Sequence, residues 1–438
     1  MVAILYLGRL PPIRICYILY QGEFLGQGYP PFLPTGGLGK GARVRGKLIR
    51  NMWPANLDLN APVQHRRACE YETFIPFPVT GLNPEIPGDI ALSISDAERS
   101  ISDLNREARL ELMPLARLLL RTESIASSKI EGMQVDARAL ARAEANLDDG
   151  RGVGANAAEI LGNIDAMQLA IERSSSMDAI QVQDLLDIHE ALLKRIGGST
   201  VAGRVRTSQN WIGGNNYNPC GADFVPPPPE EVPRLLDDLC RFCNSDALPV
   251  LVQAAIAHAQ FETIHPFADG NGRTGRALIH VVLRCRGLAP TFVPPISVIL
   301  AREKERYIEG LTLFRADHIS EWLAIFASAA TRSASLALRY TAQASELQAS
   351  WREKLRVHSN PRSDSAAWTI IDVLPSLPFI TVPVAVAAIR RTKPAVTNAM
   401  AELEAAGILR RISESPRSRT WEAEGLVDLI AGLDASAL

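Results

Sequence analysis

From residue 93 to 147 apolar positions recur at three- and four-residue spacing, with Leu112, Leu115, Leu118 and Leu119 on one stripe. That period predicts amphipathic helices up to the polar turn after Asp148. Pro114 divides the stretch into at least two helices, because an interior proline removes a donor and clashes with the preceding turn. The same spacing predicts helices near 156–174, 178–195, 249–264 and 271–286, the last closed by Gly287, and two more within 302–355. Residues 206–212 and 222–225 instead read as strands around Gly213-Gly214-Asn215-Asn216, which predicts a β-hairpin. Pro226 to Pro229 stop the second strand and set up a helix near Glu230, since proline fits a first helical turn.

Beyond the polar stretch at 358–363, which reads as a linker, the pattern changes. Short helices are predicted at 368–374 and 384–389, then a third capped by Thr392 and ended by Gly407. Strands at 408–412 and 419–422 flank a Ser415-Pro416-Arg417-Ser418 turn. Three helices and a two-stranded wing predict a winged helix-turn-helix over 363–438. The fold class is therefore mainly α, with one hairpin in a helical centre. Residues 1–70 are rich in Gly, Pro and Arg and lack sustained periodicity. They read as a disordered or untranslated extension, with an alternative start at Met52; 71–150 is then an N-terminal helical region and 151–357 the central core with its following helices.

Composition adds bounds. A chain of 438 residues, 47% apolar and 21% charged, is long enough for two or three cores. A net charge of -2 excludes a general polyanion binder, so any nucleic-acid contact needs a local basic face. The apolar run at 1–20 is broken by Arg9, Pro11, Pro12 and Arg14, which excludes a membrane span and a clean secretory leader. Six cysteines are too sparse for a disulfide framework, and the expected setting is a reducing cytoplasm. Cys240 and Cys243 have the spacing of half a metal site, but no second pair follows, and they read as two small apolar residues on one helix face.

The densest chemistry lies in His265-Pro-Phe-Ala-Asp-Gly-Asn-Gly-Arg-Thr-Gly-Arg276. Gly270, Asn271 and Gly272 present successive backbone N–H groups where a helix begins, an anion nest in which phosphate oxygens can approach the main chain. Arg273 and Arg276 lie in the first turn of that helix and can fork onto phosphate oxygens. Asp269 is the carboxylate placed to hold a magnesium ion bridging phosphates, and His265 can accept a proton from an attacking hydroxyl.

This loop resembles the Fic family motif HxFx(D/E)GNGRxxR at every fixed position. The resemblance runs, with falling specificity, from about Tyr71 to Leu323, and with the C-terminal winged helix it looks like a common bacterial subgroup. It implies a Fic-type helical core and transfer of AMP from ATP to a hydroxyl of a target protein. His265 is then the base, Asp269 the magnesium ligand, Arg273 and Arg276 the phosphate ligands and Phe267 a buried anchor. Residues 209–214 and 224–227, with Trp211, Ile212, Gly213 and Gly214, are similar to the family's flap, understood to pair with an extended target segment. Ser127-Ser-Lys-Ile-Glu131-Gly132 resembles the inhibitory motif (S/T)xxxE(G/N) of the second Fic class, which implies that Glu131 neutralises Arg276. Tyr307 is similar to a tyrosine near the nucleotide, whereas Arg306 stands where many relatives carry another, leaving adenine contacts open.

Other polar residues stay open at this level. His258 and Glu262 share the helix face of His265 and fit either support of the loop or ordinary packing, while His189, His280 and His318 read as core or interface histidines. Self-modification, a homodimer and DNA binding by the winged helix are unsettled. Arg390, Arg391, Lys393, Arg410, Arg411, Arg417 and Arg419 give that unit a basic side, although Glu402 and Glu404 follow its candidate recognition helix. A transcriptional regulator with an accessory Fic domain is therefore the alternative of another class, and a Fic enzyme that uses another nucleotide or removes AMP is the alternative within enzymes.

Overall fold

The computed structural model describes residues 44–106, 113–148, 152–196, 199–412 and 419–435. The expectations for residues 1–43 and for the turn at 415–418 lie outside them. The described chain opens with an antiparallel pair, β1 (Gly46–Trp53) and β2 (Cys69–Pro76), in register from Gly46 opposite Pro76 to Trp53 opposite Cys69. Residues 44–70 are thus part of the fold, which corrects the reading of 1–70 as a whole as disordered or misassigned. The reason is that β1 is mostly exposed and has no clean alternation, while its partners lie in β2 and, through Trp211, beyond residue 200.

The helical body follows as α1 (Gly88–Arg106), α2 (Met113–Ile130), α3 (Ala137–Asp148), α4 (Ala155–Ser174) and α5 (Val182–Leu193). After a long loop come α6 (Val232–Cys243), α7 (Val250–Ile264), α8 (Asn271–Cys285), α9 (Ile296–Arg302), α10 (Lys304–Arg315) and α11 (Ile319–His358). Pro114 falls in the first turn of α2, the place where its missing donor costs least. Every residue of α7 from Leu251 to Ile264 is buried, so this helix runs through the centre. Leu236, Ile256, Phe261, Ile279, Trp322 and Phe326 belong to the core around it, and the Trp322 indole donates to the Ala255 carbonyl at 3.0 Å.

The C-terminal unit comprises α12 (Ala366–Val373), β3 (Phe379–Thr381), α13 (Val382–Ile389), α14 (Lys393–Ala405), β4 (Leu409–Arg411), β5 (Thr420–Ala423) and α15 (Leu426–Ala435). Its sheet order is β3-β5-β4. The helices and wing follow the order read from the sequence, while β3 and α15 add to it. Ser365 and Thr381 cap α12 and α13 with their hydroxyls, whereas Thr392 occupies the cap position of α14 without a side-chain bond, contrary to the expected cap.

This unit does not stand on a core of its own. α11, about 60 Å long at helical rise, carries Tyr340, Trp351 and Leu355 into the same cluster as Leu115, Leu118 and Leu119 of α2 and Ile370, Ile371 and Trp421 of the C-terminal unit. Arg138 of α3 also reaches Glu422 of β5 at 2.7 and 2.8 Å. Among the described residues no helix is long and apolar enough to cross a membrane.

Candidate active site

The loop between α7 and α8 is closed by its own side chains. Asn271 accepts from the Phe267 N–H and donates to its carbonyl, both at 2.8 Å. His265 ends α7 in the left-handed region (φ 49°) while its N–H still donates to Phe261, and Gly270 starts α8 at φ 76°. Phe267 is fully buried and stacks on His189 with ring centroids 3.8 Å apart. Phe267 is therefore an anchor of the loop.

Three residues outside the motif hold this shape. The His189 ring accepts from Gly203 N–H at one nitrogen and faces the Asp269 carbonyl at 3.0 Å with the other; burial pushes it down to about 4, so it is neutral and donates there. Arg206 donates to the His265 carbonyl at 2.9 Å, and Asn210 to the Phe267 carbonyl at 3.0 Å. The sequence pattern marks His189 as a core or interface histidine, whereas its partners lie 14 and 80 residues away, too far for spacing to reveal them.

The first two turns of α8 carry both arginines inward, each 1% exposed. Arg273 pairs with Glu159 of α4 at 3.2 Å and lies 3.7 Å from Asp269. Arg276 donates to the hydroxyl of Ser127 at 2.8 Å, to its carbonyl at 2.9 Å and to Glu131 at 2.8 Å. Glu131 follows directly on α2, where Gly132 turns the chain at φ 82°. Burial pushes the Glu131 carboxyl up, but Arg276, followed by Arg273 and His265, outweighs it and holds the group below its ordinary range. Glu131 also lies on the Gly272 backbone, where an added Cβ would come 2.0 Å from its Oε1. The carboxylate thus occupies the approach to the anion nest and neutralises the arginine beside it.

Further contacts fix α2 against α4, α8 and α9. One turn before Ser127, the buried Glu123 accepts from Ser297 N–H and hydroxyl at 2.8 and 2.5 Å and meets His280 at 2.9 Å. Asn163 of α4 donates to the Ser124 carbonyl and the Ser128 hydroxyl at 2.7 and 3.1 Å. Nothing in the sequence pattern singled out Glu123, Asn163 or Glu159.

A small pocket joins Glu131, Ile212, Glu262, His265, Arg276 and Arg315. Burial, then Arg206, pushes His265 down to about 4 against Glu131 and the Glu262 carbonyl. Tyr307 is buried with its hydroxyl 2.8 Å from His258, where burial raises the one and lowers the other. His258 thus supports Tyr307 and the pocket wall.

The flap is a loop and not two regular strands: Ile212 and Phe224 form a single bridge. Gly213, Gly214 and Gly221 take φ of 74°, 73° and 76°, and Asn215 accepts from the Tyr217 and Asn218 N–H groups, so the intervening chain cannot pair. Trp211 is 6% exposed, donates to Asn215 and packs edge-on against Trp53, so it braces the flap and is not presented to a partner. The second edge is also partly taken, because Phe74 of β2 donates to the Val225 carbonyl at 2.9 Å. Cys69 and Cys220 form a disulfide between β2 and the flap, a departure from the expectation of free thiols in a reducing compartment. The buried Cys240 and Cys243 thiols are pushed up by burial, as packing groups would be.

The start of α8, two buried arginines, a buried imidazole and a carboxylate from the end of α2 thus meet in one place within a helical body. Residues 179–283 match the model of the Fic/DOC family, and residues 92–172 that of the Fic/DOC family N-terminal region. These segments are similar to the core and the N-terminal region of that family. The chain is 33% identical over 124 residues to Protein adenylyltransferase fic-1 of Caenorhabditis elegans, covering 28% of this chain and 22% of that protein. It is 39% identical over 92 residues to a probable protein adenylyltransferase of Aquifex aeolicus, covering 21% and 26%. The matched part thus spans about a quarter of these relatives' length. A Fic family protein from Desulfovibrio desulfuricans G20 superposes with a TM-score of 0.47 at 23% identity, covering 78% of this chain and 98% of that one.

Proposed function

We propose that this chain transfers the AMP part of ATP to a hydroxyl side chain of a target protein, its own surface included, and that Glu131 holds it inactive. The observation that carries the reading is Glu131 seated on both Arg276 and the Gly272 backbone, where a terminal phosphate would need the same charge and the same missing methyl. ATP phosphates then lie along the start of α8, with Arg273 and Arg276 as cationic ligands. His265 is the base that takes the proton of the attacking hydroxyl, its depressed value keeping it neutral.

Magnesium fits this site through one carboxylate. Asp269 keeps 30% of its side chain exposed beside the nest. Among the described residues no cluster of three or more His, Cys, Asp or Glu forms an all-protein cage, and magnesium bound to phosphates needs only one or two carboxylates plus water. When bound, the ion supplies charge neutralisation to the bridging phosphate oxygens.

The test compares wild type, Glu131→Gly and Glu131→Gly with His265→Ala, using ATP labelled at the α-phosphate and mass spectrometry of modified protein. Transfer should rise in the single variant and fall by a factor of about 100 to 10,000 in the double variant. A single variant no more active than wild type overturns the inhibitory role of Glu131, and an active double variant overturns His265 as base.

A further inference from the structure

Among the described residues, three buried polar atoms of the pocket have no hydrogen-bond partner: Oε1 of Glu262 and both ring nitrogens of His265. Glu262 lies one turn before His265 on α7, and its Oε2 is 4.0 Å from His265 Nδ1. On its other side a Cβ on Gly275 would come within 2.5 Å of Glu262 Oε1, so the glycine between Thr274 and Arg276 leaves room for this carboxylate. The groups facing the pair are Arg206 ahead of the flap, Glu131 after α2, His258 on α7, Arg276 on α8, and Tyr307 and Arg315 on α10. Of these only Glu131 is a second carboxylate, and it is engaged with Arg276 at 2.8 Å. On the proposed function, ATP displaces it and leaves Glu262 as the carboxylate beside the ring.

We propose that Glu262 is a positioning residue that decides which nitrogen of His265 carries the proton. Ionised, it accepts the Nδ1–H and leaves the Nε2 lone pair facing the pocket. Protonated, it donates to Nδ1 and forces the Nε2–H tautomer, which cannot act as a base. In the productive step the hydroxyl oxygen bonds to the α-phosphorus and the bond to the β-phosphate oxygen breaks, its electron pair leaving on pyrophosphate. The hydroxyl proton passes to Nε2, Glu262 holds the imidazolium through Nδ1–H, and that proton is later released to solvent.

The order of titration agrees with this arrangement. Burial pushes Glu262 up to about 7 against the pull of Arg276, with Glu131 adding to the rise, whereas His265 is pushed down to about 4. On acidification Glu262 therefore takes up a proton first, and the rate falls with it.

The inference rests on the proposed transfer reaction, and two measurements keep the two separable. In a Glu131→Gly background, Glu262→Gln should lower the plateau of self-modification about ten- to a hundredfold, with ATP affinity within about twofold. The acid limb of Glu131→Gly should lie somewhat below about 7, because the Glu131 charge is gone, and should move toward about 4 in Glu262→Gln. Gly275→Ala crowds the carboxylate from the opposite side and should also lower the plateau. Independently of turnover, nitrogen NMR of 15N-histidine protein, with His265 assigned by His265→Asn, should show Nδ1–H above the limb and its loss in Glu262→Gln. An unchanged tautomer with an unchanged limb overturns this role, as does lost ATP affinity with an unmoved limb. Absence of any transfer in Glu131→Gly overturns the proposed function instead, and the NMR result still decides the inference.

Discussion

The loop between α7 and α8 and the end of α2 meet at Arg276, yet they are held by different means. The loop is closed within itself by Asn271 and braced by His189, Arg206 and Asn210. The end of α2 is turned by backbone bonds, with the Glu131 and Met133 N–H groups donating to the Ser128 carbonyl. Its inner face is fixed by Glu123 and Asn163, and its leucines join the cluster shared with α11 and the C-terminal unit. On the proposed function, the reactive geometry is a local property, whereas its restraint depends on packing spread over distant segments.

The largest disturbance should come from truncation after Pro361, which uncovers Trp351 and Leu355 of α11 and part of the α2 face, all fully or nearly fully buried. At about 2 kcal/mol per exposed large apolar side chain, the loss is about 5 kcal/mol or more, within reach of a domain's whole stability. Thermal melting together with hydrogen exchange should show α2 loosening while α7 stays protected; equal protection in both helices would erase the contrast.

Next, Glu131→Gly breaks a buried pair and should cost about 3 kcal/mol in the absence of nucleotide, recovered on addition of ATP. pH acts on the same contact. Because the Glu131 carboxyl is held below its ordinary value, its contribution is present above the ordinary carboxylate range and is lost as pH falls through the lowered folded value. Wild type should therefore lose more stability on acidification than Glu131→Gly, as read by denaturant titration at a series of pH values.

Reduction of the Cys69–Cys220 disulfide should cost about 2 kcal/mol, confined to the flap and β1–β2, with exchange in α2 unchanged. The smallest effect belongs to Arg138→Ala. Arg138 is one-third exposed and Glu422 keeps Arg410 at 2.9 Å, so the change in stability should stay under about 1 kcal/mol. A melting shift larger than that caused by reduction would show that the α3 contact with β5 matters more than its exposure allows.

What the sequence made legible follows the same divide. The spacing from His265 to Arg276 sufficed for the loop because twelve consecutive residues hold most of its chemistry. The place of Ser127 and Glu131 came from family resemblance alone, since a glutamate after a helix carries no signal by itself. Glu159, Glu123 and Asn163 were invisible because each meets its partner more than 30 residues away. β1 was missed for a related reason: its alternation is weak where both faces are largely wet. The separate C-terminal unit was over-read, since a polar linker says nothing of the buried face of a helix as long as α11.

Gly272 has a consequence for how control of this protein can change over generations. On the proposed function, carboxylate and phosphate are both admitted by the same absent methyl, so a larger residue at 272 would exclude the restraint and the substrate together. Under that reading, heritable gain of activity is open through changes in α2 and at Glu131 and closed through changes in the loop, and selection for more transfer should collect its mutations there while the twelve-residue loop stays as it is.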